Sequence, residues 1–202
     1  VSVSPDYAES TTSSDAWLNV KAGTDAALAM AMGHVILKEY YIDKETPYFK
    51  EYAKEFTDMP FLVRVEDING AVQPGRFLNA KDLGSKEDGA DFQTVLIDET
   101  TNEIVVPNGT MGDRHTNPQK WNLRLENRNT GAKIDPRLSV FDQRQDVTVV
   151  KLPYFGDEEH EGVIERAIPT ITVQTVDGPV KVTTVYDLIL ANYGIDRGIG
   201  GE

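Results

Sequence analysis

Gly23-Thr24-Asp25-Ala26-Ala27-Leu28-Ala29-Met30-Ala31-Met32-Gly33-His34-Val35-Ile36-Leu37 is the stretch on which the fold is read. From Ala26 onward it is built of strong helix formers, and Thr24 or Asp25 stands where an N-cap belongs, so a helix is expected to start there. Apolar residues fall on nearly every side of that helix, which implies burial on several faces rather than one surface stripe. The run is far shorter than the ~20 apolar residues of a membrane span, and Gly33 and His34 interrupt it, so no direct membrane insertion is expected.

Working upstream, Val1 to Ser4 alternates as a strand does and Pro5-Asp6 ends it. Ser10 to Ala16 reads as a short polar helix, and Trp17 to Val20 as a brief extended segment. A parallel strand ending in Ser4-Pro5-Asp6, with Gly23-Thr24-Asp25 opening a helix further on, puts short polar groups at a strand's carboxyl end beside a helix N-terminus. Open α/β sheets bind nucleotides at such places, through backbone N–H groups and carboxylates. On spacing alone, a structural turn with an N-cap explains the same residues. Neither a P-loop nor a Gly-x-Gly-x-x-Gly fingerprint occurs.

Downstream, Pro47 to Phe56 repeats Tyr48, Phe49, Tyr52 and Phe56 at helical spacing, and Thr57 to Pro60 stops that second, amphipathic helix. The texture then changes. Phe61 to Val65, Thr94 to Ile97, Ile104 to Val106, Trp121 to Leu125 and Leu138 to Phe141 read as short strands, with Asn69-Gly70 as a hairpin turn. Ser85 to Asp91 reads as a mobile surface loop. Ile171 to Thr175 and Val180 to Thr184 form a hairpin about Asp177-Gly178-Pro179, followed by a helix entered at Thr183 or Thr184 and closed by Gly194. The fold class is therefore α/β. A nucleotide-binding-like unit over 1–58 precedes a β-rich insertion over 59–150 and a closing hairpin and helix over 151–202.

With 20 Lys+Arg against 33 Asp+Glu the chain carries a formal charge of −13, which argues against a nucleic-acid surface. The chain contains no cysteine, which excludes thiol nucleophiles, zinc ribbons and iron–sulfur ligands from these 202 residues. Its three histidines do not assemble a site on paper: His34 reads as a satisfied core residue, His115 as solvent-facing, and His160 as part of a solvated acidic loop. No Gly-x-Ser-x-Gly elbow and no unique carboxylate pair marks a catalytic centre, so neither catalytic nor metal-ligating residues are assigned.

Several stretches closely resemble the catalytic alpha subunits of membrane-bound respiratory nitrate reductases, molybdopterin oxidoreductases of the dimethyl-sulfoxide-reductase class. They are Ser4 to Glu9, Asp15-Ala16-Trp17, Gly23 to Leu37, Tyr52 to Leu62, Val105 to Gly109, Lys120 to Leu123, Pro153 to Gly156, Val182 to Leu188 and Ala191 to Gly194. In that class a strand ending in Asp-Pro-Arg and a downstream Pro-Gly-Thr-Asp help hold the guanosine part of a molybdopterin guanine dinucleotide. Here Ser4-Pro5-Asp6 and Ala22-Gly23-Thr24-Asp25 stand in those places, with Ser for Asp and Asp6 for Arg.

The resemblance implies a cofactor-binding set of Ser4, Pro5, Asp6, Gly23, Thr24 and Asp25, with Ser4 on the ribose and Asp25 on the guanosine. It further implies that the chain is an internal fragment of an enzyme reducing nitrate to nitrite at molybdenum. The family's iron–sulfur ligands would lie outside the segment. The implied partners are an iron–sulfur beta subunit and a quinol-oxidising membrane subunit, and the implied location is the cytoplasmic face of the membrane. A structural or interaction module without cofactor contact is the competing expectation.

Overall fold

The computed structural model describes residues 1–110, 124–154 and 162–200, and its centre is one five-stranded antiparallel sheet. Strands β3 (Leu62–Ile68) and β4 (Ala71–Phe77) form a hairpin whose turn residues Asn69 and Gly70 both have positive φ, 58° and 81°. Such a turn matches the twist of its flanking strands and favours Asn-Gly. Strands β10 (Val163–Thr175) and β11 (Gly178–Thr184) form a second hairpin, and β11 pairs with β3 through Val182↔Arg64 and Thr184↔Leu62. The short ladders β5 (Leu96–Ile97) with β6 (Ile104–Val105) and β7 (Pro107–Asn108) with β8 (Arg124–Asn127) precede β9 (Asp146–Pro153), whose place on the far side of β10 gives the order β4-β3-β11-β10-β9. The sheet curls until the edge strands β4 and β9 approach one another.

Residues from both the 59–150 and the 151–202 stretches thus share one sheet, with β9 running across residue 150. One core cluster gathers Leu62, Leu78, Val95, Val140 and Val182 against the sheet, all inaccessible to solvent. Burying a side chain of this kind stabilises by roughly 1.5 to 3 kcal/mol.

Helix α4 (Val185–Asn192) follows β11 directly and joins the sheet to the helical part. Leu188 and Ala191 pack toward Val65, Val150 and Ile168 of the sheet. Tyr186 and Leu190 pack toward Leu37, Tyr41 and Ala53 of the helical part. Thr184 caps α4, its Oγ1 accepting from the Asp187 N–H at 3.1 Å, and Gly194 closes it at φ 69° with Ile195 N–H donating to the Leu190 carbonyl at 2.9 Å.

The first 56 residues carry β1 (Ser2–Val3), the short helix α1 (Glu9–Thr12), β2 (Trp17–Leu18), α2 (Asp25–Ile36) and α3 (Pro47–Phe56). Between α2 and α3, Leu37–Asp43 winds as a π-helix that buries Leu37 and Tyr41. The rings of Tyr40 and Tyr41 each lie 5.4 Å from Phe49 of α3.

Three sequence readings differ from this arrangement. Helix α2, expected to be buried on several faces, has no buried residue in this chain; its Gly33 and His34 meet Tyr193, just beyond the end of α4. Leu138 to Phe141 is not a strand; it is irregular and ends in a 3₁₀ turn over Phe141–Gln143, because its backbone is held by the Asp187 carboxylate. Thr24, one of the two expected N-caps, stands at the head of α2 without a side-chain cap, whereas Ser85 to Asp91 lies at the surface as expected, tied down at buried Ala90 and by Ser85 N–H donating to the Ala80 carbonyl. The Trp121-Asn122-Leu123 part of one expected strand, and the loops with His115 and His160, lie outside the described residues.

Candidate functional site

Strands β1 and β2 run parallel, with Ser2 opposite Trp17 and Val3 opposite Leu18. Parallel neighbours send their following loops out from the same end. Ser4-Pro5-Asp6 continues β1, and the loop leading to Gly23-Thr24-Asp25 continues β2, so both predicted segments leave the carboxyl edge of one small ladder. The edge is fastened by Ser4 N–H donating to the Leu18 carbonyl at 3.2 Å and by the Trp17 indole N–H donating to the Ser4 carbonyl at 2.9 Å. The Ser4 hydroxyl accepts from the Asp6 N–H at 3.2 Å, shaping the turn through Pro5.

Gly23 has φ 84°, and a Cβ built there would meet nothing within 4 Å, so the loop beside α2 is open. Thr24 occupies the N-cap position but caps nothing with its side chain: its hydroxyl donates to the Lys21 carbonyl at 2.6 Å. The first turn of α2 therefore presents backbone N–H groups without a side-chain cap, next to the exposed carboxylate of Asp25. Helix N-termini attract negative groups and carry donors aimed outward. An open glycine corner, an uncapped helix start and an exposed carboxylate suit a phosphorylated nucleoside: donors face its phosphate oxygens, and a carboxylate acceptor faces its ring or ribose donors.

In one cleft away from this edge the cationic groups are paired. A cleft of 620 Å³ opens between the π-helix and α4, and Lys54, Arg137 and Arg197 on its walls are paired with Asp135, Glu99 and Asp187. Asp187 is fully buried and accepts from Ser139 Oγ at 2.6 Å, Val140 N–H at 2.9 Å, Thr184 Oγ1 at 2.9 Å and Arg197 Nη1 at 2.6 Å. Sequence reasoning missed this knot; the threonine-to-aspartate spacing at the start of α4 was the available sign.

Burial pushes the Asp82 carboxyl up, but the Arg76 hydrogen bonds and the Asn79 N–H outweigh it and hold the group below the usual range. Asp98 is likewise held low: donors from Asp135, Thr100 and Thr101 overcome its burial. Burial beside Asp187 pushes the Tyr186 phenol well above its ordinary value. Each of these groups is locked in one charge state near neutral pH, which suits fastening rather than proton transfer. His34 donates from Nδ1 to the Tyr193 carbonyl at 2.7 Å, as expected of a satisfied histidine. Among the described residues no group of three His, Asp or Glu side chains is placed to hold a metal ion.

Comparison with known proteins covers nearly the whole chain. The chain is 48% identical over 200 residues to the nitrate reductase alpha chain of Bacillus subtilis (strain 168), covering 99% of this chain and 16% of that one. It is 42% identical over 211 residues to the respiratory nitrate reductase 1 alpha chain of Escherichia coli (strain K12), covering 98% and 17%. It is 41% identical over 206 residues to the nitrate reductase alpha subunit of Mycobacterium tuberculosis (strain ATCC 25618 / H37Rv), covering 100% and 16%. No protein-family model matches the chain. The chain spans 16 to 17% of the length of these relatives. Its sequence is thus similar to one segment of these nitrate reductase alpha chains.

Proposed function

We propose that the chain supplies part of the molybdopterin guanine dinucleotide site of a nitrate reductase catalytic subunit. The carrying observation is the parallel β1–β2 ladder, whose carboxyl edge gives rise to both Ser4-Pro5-Asp6 and Gly23-Thr24-Asp25. In this reading Asp25 accepts from guanine N–H donors, Ser4 exchanges its contact with Asp6 N–H for a ribose hydroxyl, and the first turn of α2 donates to the diphosphate. Gly23 leaves the close approach free. When bound, the cofactor supplies the oxygen-atom and two-electron chemistry at molybdenum that converts nitrate to nitrite; the protein binds and orients it. The same reading gives the parent an iron–sulfur cluster bound outside this segment, an iron–sulfur beta subunit and a quinol-oxidising membrane subunit as partners, and a place at the cytoplasmic face of the membrane. Among the described residues, no helix is long and apolar enough to cross a membrane.

The test replaces Asp25 by Asn or Ala in a full-length alpha chain and measures GMP released on acid hydrolysis together with molybdenum content. The expected result is loss of both while the folded subunit accumulates normally. Unchanged GMP and molybdenum would overturn the assignment. The 202-residue chain alone is expected to reduce no nitrate with reduced viologen, because this reading assigns no catalytic group to it.

A further inference from the structure

Helix α3 has two apolar sides. Phe49 and buried Ala53 pack inward against Tyr40 and Tyr41, which is all that a surface helix needs. Tyr48, Tyr52 and Phe56, each four residues from the next, form a second stripe that points away from that core. Their exposures are 68, 48 and 66%, and their rings stack along the helix with centroids 6.4 and 5.2 Å apart. The stripe belongs to a wider pattern. More of the large exposed apolar side chains fall in residues 1–56 than in all the rest of the described chain, and Met32, Val35 and Ile36 of α2 are among them. Exposed apolar patches of this kind mark interaction surfaces.

Area indicates the occupant more than charge does. Lys50 and Lys54 are paired with Glu45 and Asp135, and the exposed Glu51 and Glu55, three residues on from Tyr48 and Tyr52, edge the stripe with carboxylates. An apolar centre with a charged edge suits a protein face. Three rings that bury 150–250 Å² each when fully covered offer at most a few hundred Å² here, below the ~800 Å² per partner of stable complexes between separate chains. A covalently joined partner needs less, because the connection replaces much of the cost of association. In the matched relatives this stretch makes up only 16 to 17% of the polypeptide, so most of such a chain is available to cover it.

We propose that the Tyr48–Tyr52–Phe56 face of α3 is an intramolecular docking surface, covered in the full alpha chain by an apolar face of the remaining polypeptide rather than by a separate subunit or a second copy. This goes beyond the cofactor reading and does not depend on Asp25. The test is tyrosine nitration with tetranitromethane, read by peptide mass spectrometry, on the 202-residue chain and on a full-length alpha chain with no other subunit present. Tyr48 and Tyr52 are expected to react readily in the shorter chain and to lose most of that reactivity in the full chain, with Tyr186 protected in both. Equal reactivity in the two chains would overturn the proposal. So would protection that appears only when another subunit is added, or only as the concentration of the shorter chain rises. As a second measurement, Tyr52→Lys is expected to lower the thermal midpoint of the full chain and leave that of the 202-residue chain unchanged; a shift in neither would also overturn it.

Discussion

Helices α2 and α4 are made of similar residues, yet they differ in almost everything the structure decides. Helix α4 is packed on both sides, toward the sheet and toward the helical part, and is capped at both ends. Helix α2 has no buried residue and no side-chain cap at its start, and its Gly33 meets the Tyr193 ring just beyond α4. An apolar sequence states that a helix needs cover; only the rest of the fold states whether the cover is present. In α4 the cover lies within these residues. In α2 the open end coincides with the predicted nucleotide edge, and the open sides lie in the region richest in exposed apolar groups.

The sharpest way to break the packed side of this comparison is at Asp187. Asp187→Ala leaves the guanidinium of Arg197, 9% exposed, without its buried partner, and removing one member of a buried pair costs about 3 to 5 kcal/mol. Urea unfolding of the 202-residue chain is expected to show a loss of that size; a loss under ~1 kcal/mol would mean the knot is not structural. Gly33→Ala comes next. Its new Cβ would collide with Tyr193 Cε1, and relieving such a clash costs about 1 to 3 kcal/mol. The expected signature is faster hydrogen exchange along α2 with α4 unchanged. Equal loosening of both helices would show that the two are not separately held.

Acid sharpens the comparison further. Asp82 and Asp98 both titrate below the ordinary aspartate value of 3.8, so the unfolded chain takes up their protons first as pH falls. Their contribution is present above that value and is lost as pH drops through their folded-state values. Both carboxylates belong to the β-rich body, so Asp82→Asn and Asp98→Asn are each expected to reduce the loss of urea stability seen on acidification below pH 3.8. Unchanged acid sensitivity in both variants would contradict this assignment. The smallest effect belongs to the open side: Met32→Lys on α2, 55% exposed, should change the stability of the 202-residue chain by no more than about 0.5 kcal/mol.

Local chemistry made part of this legible in the sequence. Asn69-Gly70 and Thr184 with Gly194 act through their own backbone and side-chain geometry, and they appear where the residues predict. The aromatic spacing of α3 gives the helix but not its two faces, since Tyr48 and Phe49 differ only in what lies opposite them. Leu138 to Phe141 carries strand-like residues but is bent by a carboxylate 47 residues further on, a long-range contact that no local window contains. The candidate site was readable in its residue types, through Gly23, Thr24 and Asp25. The hydroxyl of Thr24 turning to Lys21, which leaves the helix start open, was not.

The most direct measurement is hydrogen exchange on a full-length alpha chain, loaded with its guanine dinucleotide cofactor and free of it, followed at peptides covering residues 1–30. Slower exchange on loading is expected at Asp6 and at the first turn of α2 from Asp25, with the β3–β4 hairpin unchanged. Exchange at both segments that is identical with and without the cofactor would contradict it.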